Sequence, residues 1–313
     1  MIFLHDIYLE NVTVTFPTAE GIVQAVNQVS ATFRGGEITG IIGETGSGKS
    51  VLGMAVLRLL AGNSRISGRI VYKNKDLLQL NEEELQEVRG KQISLIPQNP
   101  DTAFDPAMTV GRQIIEGYCY HEKKSWRAGK AHGLQQLQNF AFPEPQKIGN
   151  SYPFQLSGGM RQRALCAMGA ALSPDWIIAD EPTKGLDAII RQQVSEVFRQ
   201  LKKDSSIILI THDLRLAQKF CDTVIVLYAG TILEQGTAGT VFNEPLHPYT
   251  CGLIDSQPHR KLLPLPGMPP SLIELPPGCK FHPRCSCQKN ICRRQEPALL
   301  EVNGRLVRCW KYA

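Results

Sequence analysis

A glycine-rich motif between a short apolar segment and a helical one leaves few folds open to this 313-residue chain. The motif consists of Gly43, Glu44, Thr45, Gly46, Ser47, Gly48, Lys49 and Ser50. The preceding segment, residues 37–43, predicts a buried strand, and from Lys49 onward apolar residues recur at helical spacing. Glycines let successive backbone N–H groups curve around phosphate oxygens, and the helix N-terminus adds partial positive charge. The motif therefore predicts a nucleoside triphosphate site, in which Lys49 reaches the β- and γ-phosphates and the Ser50 hydroxyl binds Mg²⁺.

Apolar and amphipathic segments alternate along the rest of the chain. Residues 7–16 and 23–33 alternate apolar and polar side chains, as half-buried strands do. The other predicted elements are apolar strands at 176–180, 207–211 and 223–228 and an amphipathic helix at 188–203. Such an order of strands and helices predicts an α/β fold with a mostly parallel sheet that is covered on both faces.

Shifts in composition predict the domain boundaries. Residues 82–90 and 110–147 are helical in pattern and rich in Gln, Lys and Glu, which predicts an inserted helical subdomain at about 90–165. Residues 257–278 contain seven prolines and cannot form a long regular element. The predicted organisation is a main domain at 1–256, a proline-rich linker at 257–278 and a cysteine-rich C-terminal module at 279–313.

The positive charge of the chain is concentrated in its last 57 residues. Residues 257–313 have ten Lys and Arg against three Asp and Glu, a net charge of +7, whereas the first 256 residues have 24 against 26, a net charge of −2. The near-neutral main domain argues against a nucleic-acid binder, and the composition excludes a disordered chain and a small disulfide scaffold. We interpret the basic side chains of the C-terminal module as a solvated face, with contact to a partner as the alternative.

The sequence predicts a cytosolic protein. It contains no run of about 18 apolar residues that could form a transmembrane helix. Residues 1–6 lack the basic segment and the long apolar run of a secretory signal. In a reducing cytosol, the five cysteines clustered after residue 256 are better interpreted as metal ligands or free thiols than as disulfides. Any work at a membrane would then require docking on other subunits.

A second acidic site supports the phosphate chemistry. The apolar strand 176–180 ends in Asp180, and Glu181 follows it. Such a pair supplies one carboxylate for the magnesium shell and one to activate water. Taken alone, the pair could equally cap a helix or lie in a solvated loop. The glycine-rich motif favours the catalytic interpretation.

A third motif consists of Leu156, Ser157, Gly158, Gly159, Met160, Arg161, Gln162 and Arg163. It resembles the signature sequence of ATP-binding-cassette (ABC) ATPases. The resemblance extends over residues 5–250 and includes Gln98, Asp187 and His212 at the positions of the family's Q-loop, D-loop and switch histidine. It implies an ABC-type P-loop ATPase domain with an antiparallel β subdomain and a helical subdomain, followed by the small cysteine-rich extension.

The resemblance also implies roles for individual residues. Glu181 would be the general base and His212 the γ-phosphate sensor, while Gln98 would couple the nucleotide to a membrane partner. Ligands to Mg²⁺ would be Ser50, Gln98 and Asp180. Phe16 would lie under adenine, with Tyr8 as the alternative, and Asp187 would be a further ATP contact. Ser157, Gly158 and Gly159 would contact ATP that is bound to an opposing subunit. The sequence departs from the family at one place, where Lys184-Gly185 precedes Leu186-Asp187. The family commonly has a small residue and alanine there, and this segment lies at a contact between subunits.

The C-terminal cysteines resemble those of the peptide/nickel branch of ABC importers, together with the motif His247-Pro248-Tyr249-Thr250. In that branch four such cysteines are associated with an iron–sulfur cluster, here Cys279, Cys285, Cys292 and Cys309. The implied group is a [4Fe–4S] cluster, with zinc as the alternative, because four thiolates can hold either. Cys287 is a fifth candidate ligand, and buried thiols without a ligand remain open. We interpret the scattered cysteines as packing residues, namely Cys119, Cys166, Cys221 and Cys251.

The predicted function is that of an ATP-hydrolysing importer subunit, peripheral on the cytoplasmic face of the cell membrane. The resemblance implies two transmembrane permease subunits, a second ABC ATPase subunit in a heterodimer, and an indirect link to an extracytoplasmic solute-binding protein. Peptides are the commonest cargo of the branch, while residues 99–106 and 151–154 are more similar to nickel or metal-chelate importers. The alternatives are a soluble ABC-type ATPase acting on DNA or ribosomes and a metal- or redox-regulated cassette.

Overall fold

The computed structural model describes residues 5–258 and 260–313. Residues 1–4, on which the argument about a secretory signal partly rests, and His259 in the predicted linker lie outside this description. Within the two described ranges, no helix has the length and apolar character needed to cross a membrane.

The strands in the described residues are β1 (Ile7–Thr18), β2 (Gly21–Phe33), β3 (Ile38–Ile42), β4 (Arg65–Tyr72), β5 (Lys75–Asp76), β6 (Ile93–Ile96), β7 (Trp176–Asp180), β8 (Ser206–Ile210), β9 (Thr223–Tyr228), β10 (Thr231–Thr237), β11 (Leu300–Val302) and β12 (Arg305–Val307). The helices are α1 (Lys49–Val56), α2 (Glu82–Val88), α3 (Pro100–Ala103), α4 (Val110–His121), α5 (Trp126–Asn139), α6 (Pro145–Asn150), α7 (Gly158–Gly169), α8 (Ala188–Leu201), α9 (Leu214–Phe220), α10 (Ala238–Asn243) and α11 (Pro248–Asp255). Short 3₁₀ helices lie at Pro153–Gln155, His282–Arg284 and Asn290–Arg293.

These elements form two compact units. The helical unit contains residues 80–208 together with His5 and residues 34–36, and the sheet unit contains residues 6–33, 37–79 and the described residues from 209 onward. The predicted main domain therefore supplies residues to both units, and the C-terminal module belongs to the sheet unit.

An antiparallel sheet of the sheet unit follows from the alternation seen in the sequence. Its strand order is β2-β1-β4-β5. In β1 the side chains of Ile7 and Leu9 are buried, whereas Tyr8 and Glu10 between them are exposed. This period of two puts one face of the strand into the core. The sheet agrees with the antiparallel β part that the family resemblance implied.

The sheet unit also contains the strand that precedes the glycine-rich motif. All five residues of β3 are buried, and β3 pairs in parallel with β9. β9 turns through Ala229 and Gly230 into antiparallel β10. β10 in turn pairs with β12, which forms a hairpin with β11. The C-terminal module thus adds strands of its own, which the cysteine-rich composition did not predict.

The helical unit contains helices α2 to α8 and the parallel pair β6 and β7. β7 is buried at all five positions, as its apolar sequence predicted. β6 falls within the range predicted as a helical subdomain, so the first part of that range is strand. A four-residue apolar run has too few residues to show a helical or strand period, which explains why sequence reasoning missed β6.

Candidate functional site

The glycine-rich loop is shaped by its close approach to neighbouring backbone. Gly48 has φ +98°, and a Cβ built on it would lie 2.1 Å from the carbonyl oxygen of Ala25 in β2. Gly43 has φ +151°, and its Cβ would lie 2.1 Å from the carbonyl oxygen of Leu227 in β9. Only glycine fits at either position, because real Cβ contacts are never so short. The loop is therefore held against β2 and β9 at its two ends.

The side chain of Lys49 turns back and binds to the backbone of this loop. Its Nζ donates to the carbonyl oxygens of Gly43 at 2.9 Å and Glu44 at 2.8 Å, and the residue is 7% exposed. Ser47 is also buried, and its Oγ has no hydrogen-bond partner among the residues that the structure describes. α1 begins at Lys49, so its first backbone N–H groups point toward the loop. Ammonium, hydroxyl and amide donors thus converge as an anion site requires.

The register of β1 and β2 separates the two candidate aromatic residues. Phe16 is half-buried and pairs with Val23, two residues from Ala25, where the loop touches β2. Tyr8 pairs with Thr32, seven residues from Ala25, and its hydroxyl donates to Asp6 at 3.2 Å. At about 3.3 Å per residue, Tyr8 lies more than 20 Å along the sheet from the loop contact. The geometry favours Phe16.

His212 lies at the carboxyl end of β8 in the sheet unit. The N–H of Thr211 donates to the carbonyl oxygen of Ile41 in β3 at 3.2 Å, which places His212 beside the strand that enters the loop. Asp213 caps α9 by accepting from the N–H of Leu216 at 3.0 Å. This cap fixes the turn, and the imidazole of His212 is exposed.

The structure reveals a loop contact that the sequence did not predict. Arg284 of the C-terminal module donates through both terminal nitrogens to the Glu44 carboxylate, at 2.6 and 2.9 Å. The hydrogen bond to Glu44 raises the pKa of Arg284 above its ordinary value. The Glu44 N–H donates to the hydroxyl of Tyr249 at 2.8 Å. Arg284 and Glu44 are 240 residues apart, so no local sequence pattern could have indicated the pair.

The acidic pair lies in the helical unit. Asp180 ends β7, and both Asp180 and Glu181 are buried, with 7% and 6% of their surface exposed. Glu181 has φ +49°, a left-handed conformation that costs a non-glycine residue about 1–3 kcal/mol. The carbonyl oxygen of Glu181 accepts from the N–H of Lys184 at 3.0 Å, which closes the turn after the strand. The fold thus holds this carboxylate in a strained turn, as is common at functional sites.

The signature motif forms the start of a helix. Ser157 caps α7 by accepting from the N–H of Met160 at 3.3 Å, and Gly158 has no atom within 4 Å of a built Cβ. A Cβ on Gly159 would lie 3.4 Å from Leu186, so the turn before Asp187 is adjacent to the motif. Asp187 caps α8 by accepting from the N–H of Ile190 at 2.9 Å. Lys184 and Gly185, where the sequence departs from the family pattern, are exposed.

Gln98 follows β6 on an exposed loop. Its neighbour Asn99 caps α3, and Asp101 in α3 pairs with Arg161 of α7 at 2.9 Å. Arg161 also donates to the carbonyl oxygen of Pro153. The Gln98 loop is therefore connected through one arginine to the segment just before the signature helix.

The five C-terminal cysteines line one cavity of about 210 Å³. They are Cys279, Cys285, Cys287, Cys292 and Cys309, joined by His247 and His282. Burial raises the pKa of the Cys279 thiol to about 11. None of the nine cysteines, all of which lie in the described residues, forms a disulfide. Within residues 5–258 and 260–313, no group of three or more His, Cys, Asp or Glu side chains is placed to hold a single metal ion.

The basic side chains of the C-terminal module do not form a uniformly solvated face. Arg284 and Arg305 are buried, with 8% and 4% of their surface exposed. Arg305 donates to the carbonyl oxygens of Thr240 and Glu244 and lies 3.7 Å from the Glu234 carboxylate. The expectation of a solvated face is therefore wrong for these two residues, because the guanidinium of each donates to acceptors of the fold instead of to water. Of the scattered cysteines, Cys119, Cys166 and Cys221 are buried, in agreement with packing roles.

The predicted residues divide between the units. The glycine-rich loop, Phe16, His212 and the cysteines belong to the sheet unit, whereas Gln98, the signature motif, the acidic pair and Asp187 belong to the helical unit. Within the sheet unit, β3 connects the loop to the turn that carries His212. Within the helical unit, the signature motif and the Asp187 turn are adjacent.

Two family models match the sequence. The model described as "ABC transporter" matches residues 26–184, and the model described as "Oligopeptide/dipeptide transporter, C-terminal region" matches residues 233–292. The chain is 41% identical to the oligopeptide transport ATP-binding protein OppD of Salmonella typhimurium, over 97% of this chain and 92% of that protein. It is 42% identical to the dipeptide transport ATP-binding protein DppD of Bacillus subtilis, over 96% of this chain and 93% of that protein.

Solved structures share the fold. The dimeric structure of a bacterial ABC transporter cassette superimposes with a TM-score of 0.68 at 26% identity, covering 74% of this chain and 98% of that one. A dimeric post-hydrolysis state of an ATP-binding cassette, bound to ADP and Pi, gives the same values. The family match and the shared fold identify the chain as an ABC ATPase. The chain belongs to the ABC transporter family, among the ATP-binding subunits of its oligopeptide/dipeptide branch.

Proposed function

We propose that this chain hydrolyses ATP to energise the uptake of peptides through an ABC importer. The phosphate-binding loop carries the proposal, because its ammonium, hydroxyl and amide donors converge between β3 and α1. The peptide cargo is supported by the relatives named for oligopeptide and dipeptide transport. A nickel or metal-chelate cargo has no support beyond the sequence of residues 99–106 and 151–154.

Residues of the sheet unit would bind the nucleotide. Backbone N–H groups of the loop at residues 43–50, apart from that of Glu44, which donates to Tyr249, would donate to the β- and γ-phosphates. Nζ of Lys49 would neutralise part of their charge, and Phe16 would stack on adenine. The Ser50 hydroxyl would supply an oxygen ligand for Mg²⁺, which polarises the phosphoryl oxygens when bound. Gln98 and Asp180, the other predicted Mg²⁺ ligands, belong to the helical unit. The buried Oγ of Ser47 is a further donor for a phosphate oxygen. His212 would respond to the γ-phosphate.

Residues of the helical unit would carry out hydrolysis. Glu181 would accept a proton from the attacking water, which contributes about 10²–10⁴-fold in known cases of general-base catalysis. The exposed N-terminus of α7, with Ser157, Gly158 and Gly159, would bind the γ-phosphate of ATP on a second ATPase subunit, and Asp187 would lie at that contact. The dimeric cassette structures that share this fold support such a pairing.

The helical unit also carries a surface that suits a membrane permease subunit. Tyr152 and Phe154 are stacked with centroids 5.6 Å apart, and Phe154 is 68% exposed. Arg161 connects this aromatic pair, through Pro153 and Asp101, to the Gln98 loop. Exposed paired aromatics favour contact with apolar partner surface. We place the chain peripherally on the cytoplasmic face of the membrane, with permease subunits docked here and a solute-binding protein on the opposite side.

The cavity in the C-terminal module would hold a [4Fe–4S] cluster, because it is lined by the four thiols that such a cluster needs and by a fifth. Cys279, Cys285, Cys292 and Cys309 would hold it, with Cys287 as a substitute ligand. When bound, such a group would cross-link the module and add a one-electron redox centre. Zinc is the alternative group for the same thiols.

Reconstitution tests the transport function. The chain, its permease subunits and a second ATPase subunit are placed in vesicles with the cognate solute-binding protein, and ATP hydrolysis is measured with peptide, with Ni²⁺ chelates or with neither. Stimulation by peptide alone is the expected result. Stimulation by Ni²⁺ chelates would replace the cargo assignment. Hydrolysis stimulated by DNA or ribosomes, without permease, would replace the importer function altogether.

Metal analysis tests the cluster. Protein purified without oxygen should be brown and contain about four irons per chain. Cys279→Ser should lose most of this iron, whereas Cys251→Ser, which removes a thiol outside the cavity, should retain it. One zinc per chain and no iron would contradict the proposal.

A further inference from the structure

Arg284 is held more firmly than a surface arginine. It lies in the 3₁₀ helix His282–Arg284, and its side chain is 5% exposed. Besides the two bonds to Glu44, Nε donates to the carbonyl oxygen of Pro266 at 2.7 Å and Nη1 donates to the Tyr228 hydroxyl at 3.3 Å. A planar guanidinium with all these acceptors is fixed in one orientation. Arg284 therefore presents a rigid fork to Glu44.

Glu44 connects this fork to the phosphate-binding groups. Its carbonyl oxygen accepts from Nζ of Lys49 at 2.8 Å and from the N–H of Ser47 at 3.2 Å. Its N–H donates to the Tyr249 hydroxyl. Every polar group of Glu44 therefore has a partner, and the carboxylate is the one group whose partner comes from the C-terminal module.

A cluster of three aromatic rings packs beside this contact. The rings of Tyr228, Tyr249 and Phe281 lie 4.6 to 5.4 Å apart, centroid to centroid, and all three are almost fully buried. Phe281 belongs to the C-terminal module, so the module supplies both the arginine and part of its packing. Three packed rings resist displacement of either partner.

We propose that Arg284 is a positioning residue for the phosphate-binding loop, and that it acts by neutralising and orienting Glu44. A carboxylate beside a triphosphate site repels the phosphates and lowers their affinity unless a cation compensates it. Arg284 supplies that cation and fixes the residue whose carbonyl anchors Lys49. The C-terminal module is therefore part of the nucleotide-binding machinery. This inference rests on the proposed use of residues 43–50 as the ATP site.

The test is a double-mutant cycle on full-length protein. The Kd of a fluorescent ATP analogue, kcat and KM are measured for Arg284→Gln, Glu44→Gln and the double variant. Arg284→Gln should raise Kd and KM about tenfold or more, because it leaves a carboxylate without its cation. The double variant should recover most of that loss, because the repelling charge has gone. Urea unfolding shows whether each variant is folded.

Arg305→Gln is the matched control. It removes another buried arginine that binds the C-terminal module to the preceding part of the sheet unit, and the hydrogen bonds and ion pair described for it go to Thr240, Glu244 and Glu234 rather than to the loop. If Arg284 only fastens the module, both arginine variants will weaken ATP binding equally and Glu44→Gln will not restore it; that result, or an unchanged Kd in folded Arg284→Gln, overturns the proposal. Lys49→Ala tests the ATP site separately, since it should abolish binding whether or not Arg284 acts as proposed.

Discussion

At the scale of single residues, Glu181 combines burial, a carboxylate and a strained backbone. We expect Glu181→Gln to bind ATP normally, because the amide keeps the shape of the side chain, and to hydrolyse it at least about 100-fold more slowly, because the amide cannot accept the proton. Phosphate release and analogue binding measure the two effects. Glu83→Gln, at an exposed position in α2, is the control. Normal turnover in Glu181→Gln would show that another group is the base.

A substitution at Gly48 tests whether the close approach of the loop to β2 is needed for ATP binding. A methyl group there would meet the Ala25 carbonyl oxygen at 2.1 Å, so Gly48→Ala must displace either the loop or β2. We expect about 100-fold weaker binding of ATP, measured by titration of a fluorescent analogue. Gly239→Ala, in α10 with open space around the new methyl group, should bind as the unchanged protein does. Equal affinities in the two variants would mean that this close approach does not shape the loop.

At the scale of elements, two serine caps allow a matched comparison. Ser157 caps α7 and Ser125 caps α5, each accepting from the N–H three residues on at 3.3 Å. Replacing either serine by alanine should cost about 1 kcal/mol of stability, measured by urea unfolding. Only Ser157→Ala should also lower ATP hydrolysis, because only α7 begins at the signature motif. Equal hydrolysis in the two variants would remove Ser157 from the site.

Elements with a strong local pattern could be predicted from the sequence. The alternation of β1, the apolar run of β7 and the amphipathic period of α8 each predict the observed structure. β4 has no such pattern, because only Ile70 and Tyr72 near its end are buried and the rest of the strand is exposed or half-buried. Its pairing with β1 sets its conformation, and that pairing is a tertiary interaction that propensity does not encode.

The site residues, like the elements, could be predicted only where a local sequence pattern indicates them. Local motifs indicated the phosphate loop, the acidic pair and the signature helix, whose residues are contiguous. The Glu44–Arg284 pair could not be predicted, because an arginine in a basic tail is most often solvated and its partner lies far away in the sequence. The roles of the individual site residues remain predictions.

At the scale of the whole molecule, partner contact is expected through the aromatic pair. Phe154→Asp should reduce co-purification with the permease subunits at least tenfold, because it puts a charge into an apolar contact. Tyr120→Asp is the control, since Tyr120 is a similarly exposed aromatic residue of the helical unit, at 63% against 68%. Hydrolysis by the isolated chain should not change. Equal loss of permease in both variants would contradict docking at Phe154.

The pairing of Glu44 with Arg284 has a consequence for the order in which the protein matures. A ribosome makes the phosphate-binding loop early, and the cation that completes it 240 residues later. Closing so long a loop is slow compared with the formation of α1 or β3. If Arg284 acts as proposed, the Glu44 carboxylate of the nascent chain has no cation beside it until the C-terminal module has been synthesised and has folded. Full affinity for ATP would then be acquired last, and an incomplete chain would compete poorly for the nucleotide.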